Sequence, residues 1–166
     1  MTYDIKFDLI INFLERVGFP FAFREITQRT FVPGLLLSEG MLFINQEKCT
    51  FIGDILHEAG HLSVLTPTER TSVDGDVGED GEMAAMLWSY AAALEIGLDP
   101  KTVFHSDGYK GDSDWLLDRY AEGTFIGMPL LQYYGLALNP DNPIQDGPVF
   151  PKMLKWLRDE PKLNLS

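Results

Sequence analysis

Gly53-Asp54-Ile55-Leu56-His57-Glu58-Ala59-Gly60-His61-Leu62 is the stretch from which the rest of the chain is read. Ile52, Ile55, Leu56 and Ala59 recur at helical spacing, and Thr50 stands where it can cap a helix beginning near Phe51. Pro67 stops that helix soon after Leu65. Positions four apart share a helix face, so His57 and His61 project side by side. Their imidazole nitrogens can then reach one zinc ion at about 2.0–2.1 Å. Glu58, beside His57, can reach a water held by that ion, which is the physical content of the His-Glu-x-x-His pattern. The chain has only 3 histidines, so a chance pair at this spacing, with glutamate in second place, is rare. Ala59 and Gly60 add room for close packing beneath the histidines.

A zinc ion that does chemistry takes a third protein ligand and keeps one position open. His61-Leu62-Ser63-Val64-Leu65-Thr66 lacks both the Gly and the His of the longer three-histidine pattern. A carboxylate is therefore expected. Glu82 is the first candidate, because it opens the apolar helix Glu82-Met83-Ala84-Ala85-Met86-Leu87-Trp88-Ser89 with Ala85 and Met86 on its own face. Glu79 and Asp80 are the rivals, and the plain alternative for Glu82 is an acid favoured by the helix dipole. Chemistry of this kind also uses a donor to the developing oxyanion. His105, the remaining histidine, is the first candidate for it, with Tyr109 and Tyr90 next. Asp54, one turn before His57, is either an orienting group for an imidazole or a solvated helix-start acid.

Working outward, Ile5, Leu9, Ile10, Phe13, Leu14 and Val17 predict an amphipathic helix ended by Gly18 and Pro20. Gly34-Leu35-Leu36-Leu37 and Met41-Leu42-Phe43-Ile44 flank Ser38-Glu39-Gly40 and predict a hairpin with Gly40 at positive φ. Residues 66–81 read as a turn-rich acidic connection. Asp74 to Asp80 lacks the spacing of a calcium loop. Helices are expected over Glu82–Ile96, Asp114–Glu122, Leu130–Leu138 and Met153–Arg158. Asn139 to Pro151, with its four prolines, is expected to be irregular, and Gly127-Met128-Pro129 a turn walling a cleft. Helix, hairpin, then helices make an α+β fold with a small mixed sheet packed against the histidine helix, in a single domain over residues 1–166.

Composition narrows the function. With 45% hydrophobic and 12% aromatic residues the chain can bury a core, and its net charge of −12 repels phosphate backbones, so nucleic acid is not an expected partner. Cys49 is the 1 cysteine, which excludes an intrachain disulfide and a zinc–thiolate cluster. Asp4, Asp8 and Glu15 surround the only apolar run near the N-terminus, unlike a signal peptide, and no segment has the roughly 18 apolar residues of a membrane span. A cytoplasmic protein without a membrane partner is expected.

The stretch Gly53–Leu62, together with the Glu82-x-x-Ala85 helix, resembles the gluzincins, zinc peptidases with two histidines and a glutamate as ligands. The hairpin before the motif and the small size resemble the minimal members, the ImmA/IrrE-type metallopeptidases, over residues 31–96. The resemblance implies His57, His61 and Glu82 as ligands of Zn2+, Glu58 as general base, and a peptide or protein as substrate. It implies a zincin-like fold with the metal between two helices and a sheet edge. Zinc, water and a glutamate also suit non-peptide amides, and a non-catalytic zincin serving as a binding module is the third reading. Intact Glu58 speaks against that third reading, since a binding module needs no base beside the metal.

Overall fold

In the computed structural model, which describes residues 4–75, 77 and 81–161, Asp4 caps the first helix. Its carboxylate accepts from the backbone N–H groups of Lys6 and Phe7, and α1 (Ile5–Arg16) follows with Phe7, Ile10, Ile11, Phe13 and Leu14 buried. Gly18, at φ +74°, ends it: Gly18 N–H donates to Glu15 and Phe19 N–H to Leu14, a Schellman closure that only an easily left-handed residue makes cheaply. Strand β1 (Phe21–Phe23) comes next, then the expected hairpin of β2 (Leu35–Ser38) and β3 (Met41–Ile44). Its turn places both Glu39 (φ 57°) and Gly40 (φ 76°) in the left-handed region, as a type I′ turn requires.

The histidine helix, α2 (Gly53–Ser63), begins two residues later than the capping pattern predicts. Ile52 is its N-cap, with no side-chain cap, so Thr50 does not close it. The acidic connection after it is more ordered than expected. Thr66 and Glu69 form a capping box, Pro67 takes the first helical position, and a short helix α3 (Pro67–Thr71) results. A two-residue strand β4 (Asp74–Gly75) then pairs antiparallel with β2. The mixed sheet runs β1-β3-β2-β4, with β1 parallel to β3 and β2 antiparallel to both its neighbours. Side chains alternate along the hairpin. Leu35, Leu37, Leu42 and Ile44 join the main core, while Leu36 and Phe43 meet Ile26 in a small cluster on the other face.

Helix α4 (Glu82–Glu95) is apolar on nearly every side: Ala84, Ala85, Leu87, Trp88, Ala91, Ala92 and Ala93 are all buried, so it runs through the core rather than over it. α5 (Ser113–Ala121) lies where expected, but α6 (Met128–Tyr133) stops short of Leu138. The expected helix over Met153–Arg158 does not form. That segment spends its polar groups on the rest of the fold. Trp156 O accepts from the Trp88 indole at 2.8 Å, and Met153 bridges to Ala137. Arg158 donates from its backbone N–H to Ser63 O (3.0 Å) and from its guanidinium to Val64 O (3.1 Å). Arg70 donates to Leu62 O at 2.9 Å and to Arg158 O at 2.6 Å. The carbonyls left open at the end of α2 are thus satisfied by Arg70 from the next helix and by Arg158 from a distant segment. No described helix is long and apolar enough to cross a membrane.

Gly53 seats the start of α2. A Cβ there would lie 1.9 Å from Thr102 O and 2.5 Å from its carbonyl carbon, both rigid backbone. Gly53→Ala is therefore expected to destabilise the fold by about 3 kcal/mol, lowering Tm by roughly 6–12 °C in a thermal melt. An unchanged Tm would mean that this approach is looser than described.

Candidate metal centre

Two helices build the centre. α2 carries His57 and His61 on consecutive turns with Glu58 beside His57, and α4 presents Glu82 as its first helical residue, after Gly81 in the left-handed region (φ 77°). What brings them together lies one residue before His61 and one turn after Glu82. A Cβ on Gly60 would sit 2.8 Å from Ala85 O and 3.3 Å from both Ala85 Cα and the Trp88 ring. Backbone meets backbone at that crossing, so the Glu82 carboxylate swings over the histidine pair.

His57 Nε2 lies 3.1 Å from His61 Nε2 and 3.3 Å from Glu82 Oε1, and His61 Nε2 lies 2.9 Å from Glu82 Oε2. A tetrahedral cation bound at about 2.0–2.1 Å separates neighbouring ligand atoms by roughly 3.3–3.4 Å. The two nitrogens and the carboxylate oxygens are therefore spaced much like the corners of a coordination tetrahedron, and two neutral imidazoles with one carboxylate are a donor set that suits a divalent transition metal. His57, His61 and Glu82 are the group of metal-ligating side chains that converges among the described residues. Glu79 and Asp80, the rival carboxylates, lie outside the described residues.

The electrostatics match a cation site. Burial opposes charge on His57, but the Glu82 hydrogen bond and the nearby Glu82, Glu58 and Asp54 carboxylates outweigh it and raise its pKa. Glu82 is partly desolvated, yet its hydrogen bonds to His57 and His61 hold its carboxyl well below the usual range. A cation competes with protons for the ligand nitrogens, so metal affinity falls as pH is lowered.

His105, the first candidate for an oxyanion donor, is engaged by α2. Its Nε2 pairs with Asp54 Oδ1 at 2.7 Å, and its ring stacks on Phe51 at 3.9 Å. Asp54 accordingly serves His105 rather than a ligand imidazole. Tyr90 sits in an aromatic cluster with Phe104, Tyr120, Phe125 and Phe150. Tyr109 is the group that reaches the centre: its phenol oxygen lies 3.0 Å from His57 Nδ1. Burial and the surrounding carboxylates push its pKa well up, so it stays a neutral phenol. No periodicity in His105-Ser106-Asp107-Gly108-Tyr109-Lys110-Gly111 announces that contact, which spans 52 residues of chain. Gly127-Met128-Pro129 packs against the start of α4, where a Cβ on Gly127 would lie 2.8 Å from that of Met83, the neighbour of Glu82.

The geometry is compatible with a zincin-like site on an α+β fold with a small mixed sheet. No protein-family model, curated protein or solved structure matches the chain.

Proposed function

We propose that this chain is a zinc-dependent hydrolase of the gluzincin type, acting on peptide bonds. The observation that carries the reading is the convergence of His57, His61 and Glu82 beside Glu58 on the same two helices. Two histidines and one glutamate are a ligand set that catalytic zinc uses, leaving a fourth position open. Bound zinc supplies a Lewis acid for the substrate carbonyl and makes water a stronger acid, with a pKa near about 7.

The chain's own residues then divide the work. His57, His61 and Glu82 hold the ion. Glu58, half-buried on α2 next to His57, accepts the proton of the attacking water and delivers it to the departing amine. A peptide or protein substrate fits this chemistry, and a cytoplasmic setting is the one we propose for it.

The test is hydrolysis of a panel of internally quenched peptides by zinc-reconstituted protein. Cleavage that a chelator abolishes and added zinc restores is the expected result. Stoichiometric zinc with no peptide cleaved would overturn the peptidase reading, and cleavage of small amides alone would move the substrate class to non-peptide amides.

A further inference from the structure

The two ligand imidazoles are supported differently. Each turns Nε2 toward the other and toward Glu82, so each leaves Nδ1 facing outward. An imidazole can lend its Nε2 lone pair only when the proton sits on Nδ1, and a buried Nδ1–H needs an acceptor. The Nδ1 of His61 is buried and finds no hydrogen-bond partner among the described residues. The Nδ1 of His57 has the Tyr109 oxygen at 3.0 Å.

Tyr109 is brought there by a segment that bends sharply to do it. Tyr109 and Lys110 both stand at φ 55° and Gly111 at φ 84°, three left-handed residues in a row. For residues with a side chain that conformation costs roughly 1–2 kcal/mol each, so the surrounding contacts must enforce it. They are present. The Tyr109 ring stacks on Phe104 (4.9 Å, 21°) and stands edge-on to the His57 ring (5.3 Å, 87°). Ser113 Oγ donates to His105 O at 2.6 Å, holding the bend closed. The His105–Asp54 pair fastens the segment to α2 one turn before His57. His105 and Tyr109 thus attach one loop to one helix face at successive turns.

We propose that Tyr109 is a positioning residue for the metal centre, accepting a hydrogen bond from His57 Nδ1–H and so fixing the tautomer and ring angle that present Nε2 to the ion. This rests on the metal reading of His57, His61 and Glu82, and it gives His105 the task of anchoring the loop that carries the phenol.

The test uses the full chain and zinc ion alone, without a substrate. Tyr109→Phe removes one oxygen and keeps the ring. Zinc affinity, read by competition with a chromophoric chelator, is expected to fall about 10–100-fold. On zinc-loaded wild-type protein, nitrogen-15 NMR of the histidine rings is expected to show His57 bound through Nε2 with a slowly exchanging Nδ1–H, and that signal should exchange faster in Tyr109→Phe. Asp54→Asn, which loosens the anchor, is expected to move both readouts in the same direction by less. Wild-type zinc affinity in Tyr109→Phe, or His57 bound through Nδ1, would overturn the proposal. If zinc is lost in His61→Ala while Tyr109→Phe keeps wild-type zinc affinity, the positioning role fails while the metal centre stands. Zinc retained in both variants would remove the metal centre and the proposal together. The wild-type NMR result decides the matter even should the variant fold poorly.

Discussion

Glu82→Ala is expected to weaken zinc binding by at least about 100-fold, more than loss of a supporting group outside the ligand set costs, and to leave the fold intact. The second half of that statement is what makes the variant informative. The Glu82 side chain is 35% exposed at the first position of α4. Its removal opens no buried cavity, and it forfeits the pairing with His57 and His61 together with a favourable helix-dipole interaction of about 0.3–1 kcal/mol. His61→Ala is expected to lose zinc as well, but His61 is 4% exposed, so its truncation also leaves a void in the core. The two variants together separate lost coordination from lost packing. Zinc content by elemental analysis, beside a thermal melt of each, reads both quantities. Full zinc in Glu82→Ala with loss in His61→Ala would shift the third ligand to another carboxylate, with Glu79 and Asp80 first in line.

Glu58→Gln is expected to keep stoichiometric zinc and lose roughly 10²–10⁴-fold in turnover. Glutamine matches the volume of glutamate and preserves its place on α2, yet its amide cannot take a proton from water. Metal content and catalysis should therefore part company in this variant, as they cannot in a ligand variant. Unchanged turnover would deny Glu58 the role of base. Retained zinc with an unchanged cellular role in Glu58→Gln would favour a binding module built on the same metal site.

The chain's local order was largely legible. Apolar periodicity marks α1, α2 and α4, the Glu39-Gly40 pair marks the hairpin turn, and the spacing of His57 and His61 dictates that they share a face. Within the acidic connection, Thr66-Pro67-Thr68-Glu69 is a capping box with proline in first place, a local signal that makes α3 in a stretch whose composition reads as loop. The failed helix at Met153–Arg158 is of another kind. Its apolar spacing is compatible with a helix, but Arg158 and Trp156 give their backbone groups to Ser63 and Trp88 instead of to helical partners.

By itself, then, the sequence determined which side chains each helix presents together, because that depends only on rise and turn per residue. It determined the pairing of two imidazoles and placed a glutamate between them. Tertiary structure alone decided what faces them. Gly60 and Ala85 let α2 and α4 touch backbone to backbone, and that crossing, not any spacing in the chain, carries Glu82 to the histidines. It also decided that His105 would be engaged by Asp54 and that the Tyr109 phenol would lie against His57. Such contacts join residues tens of positions apart, and they follow from how small side chains and strained turns let surfaces meet, which no local periodicity encodes.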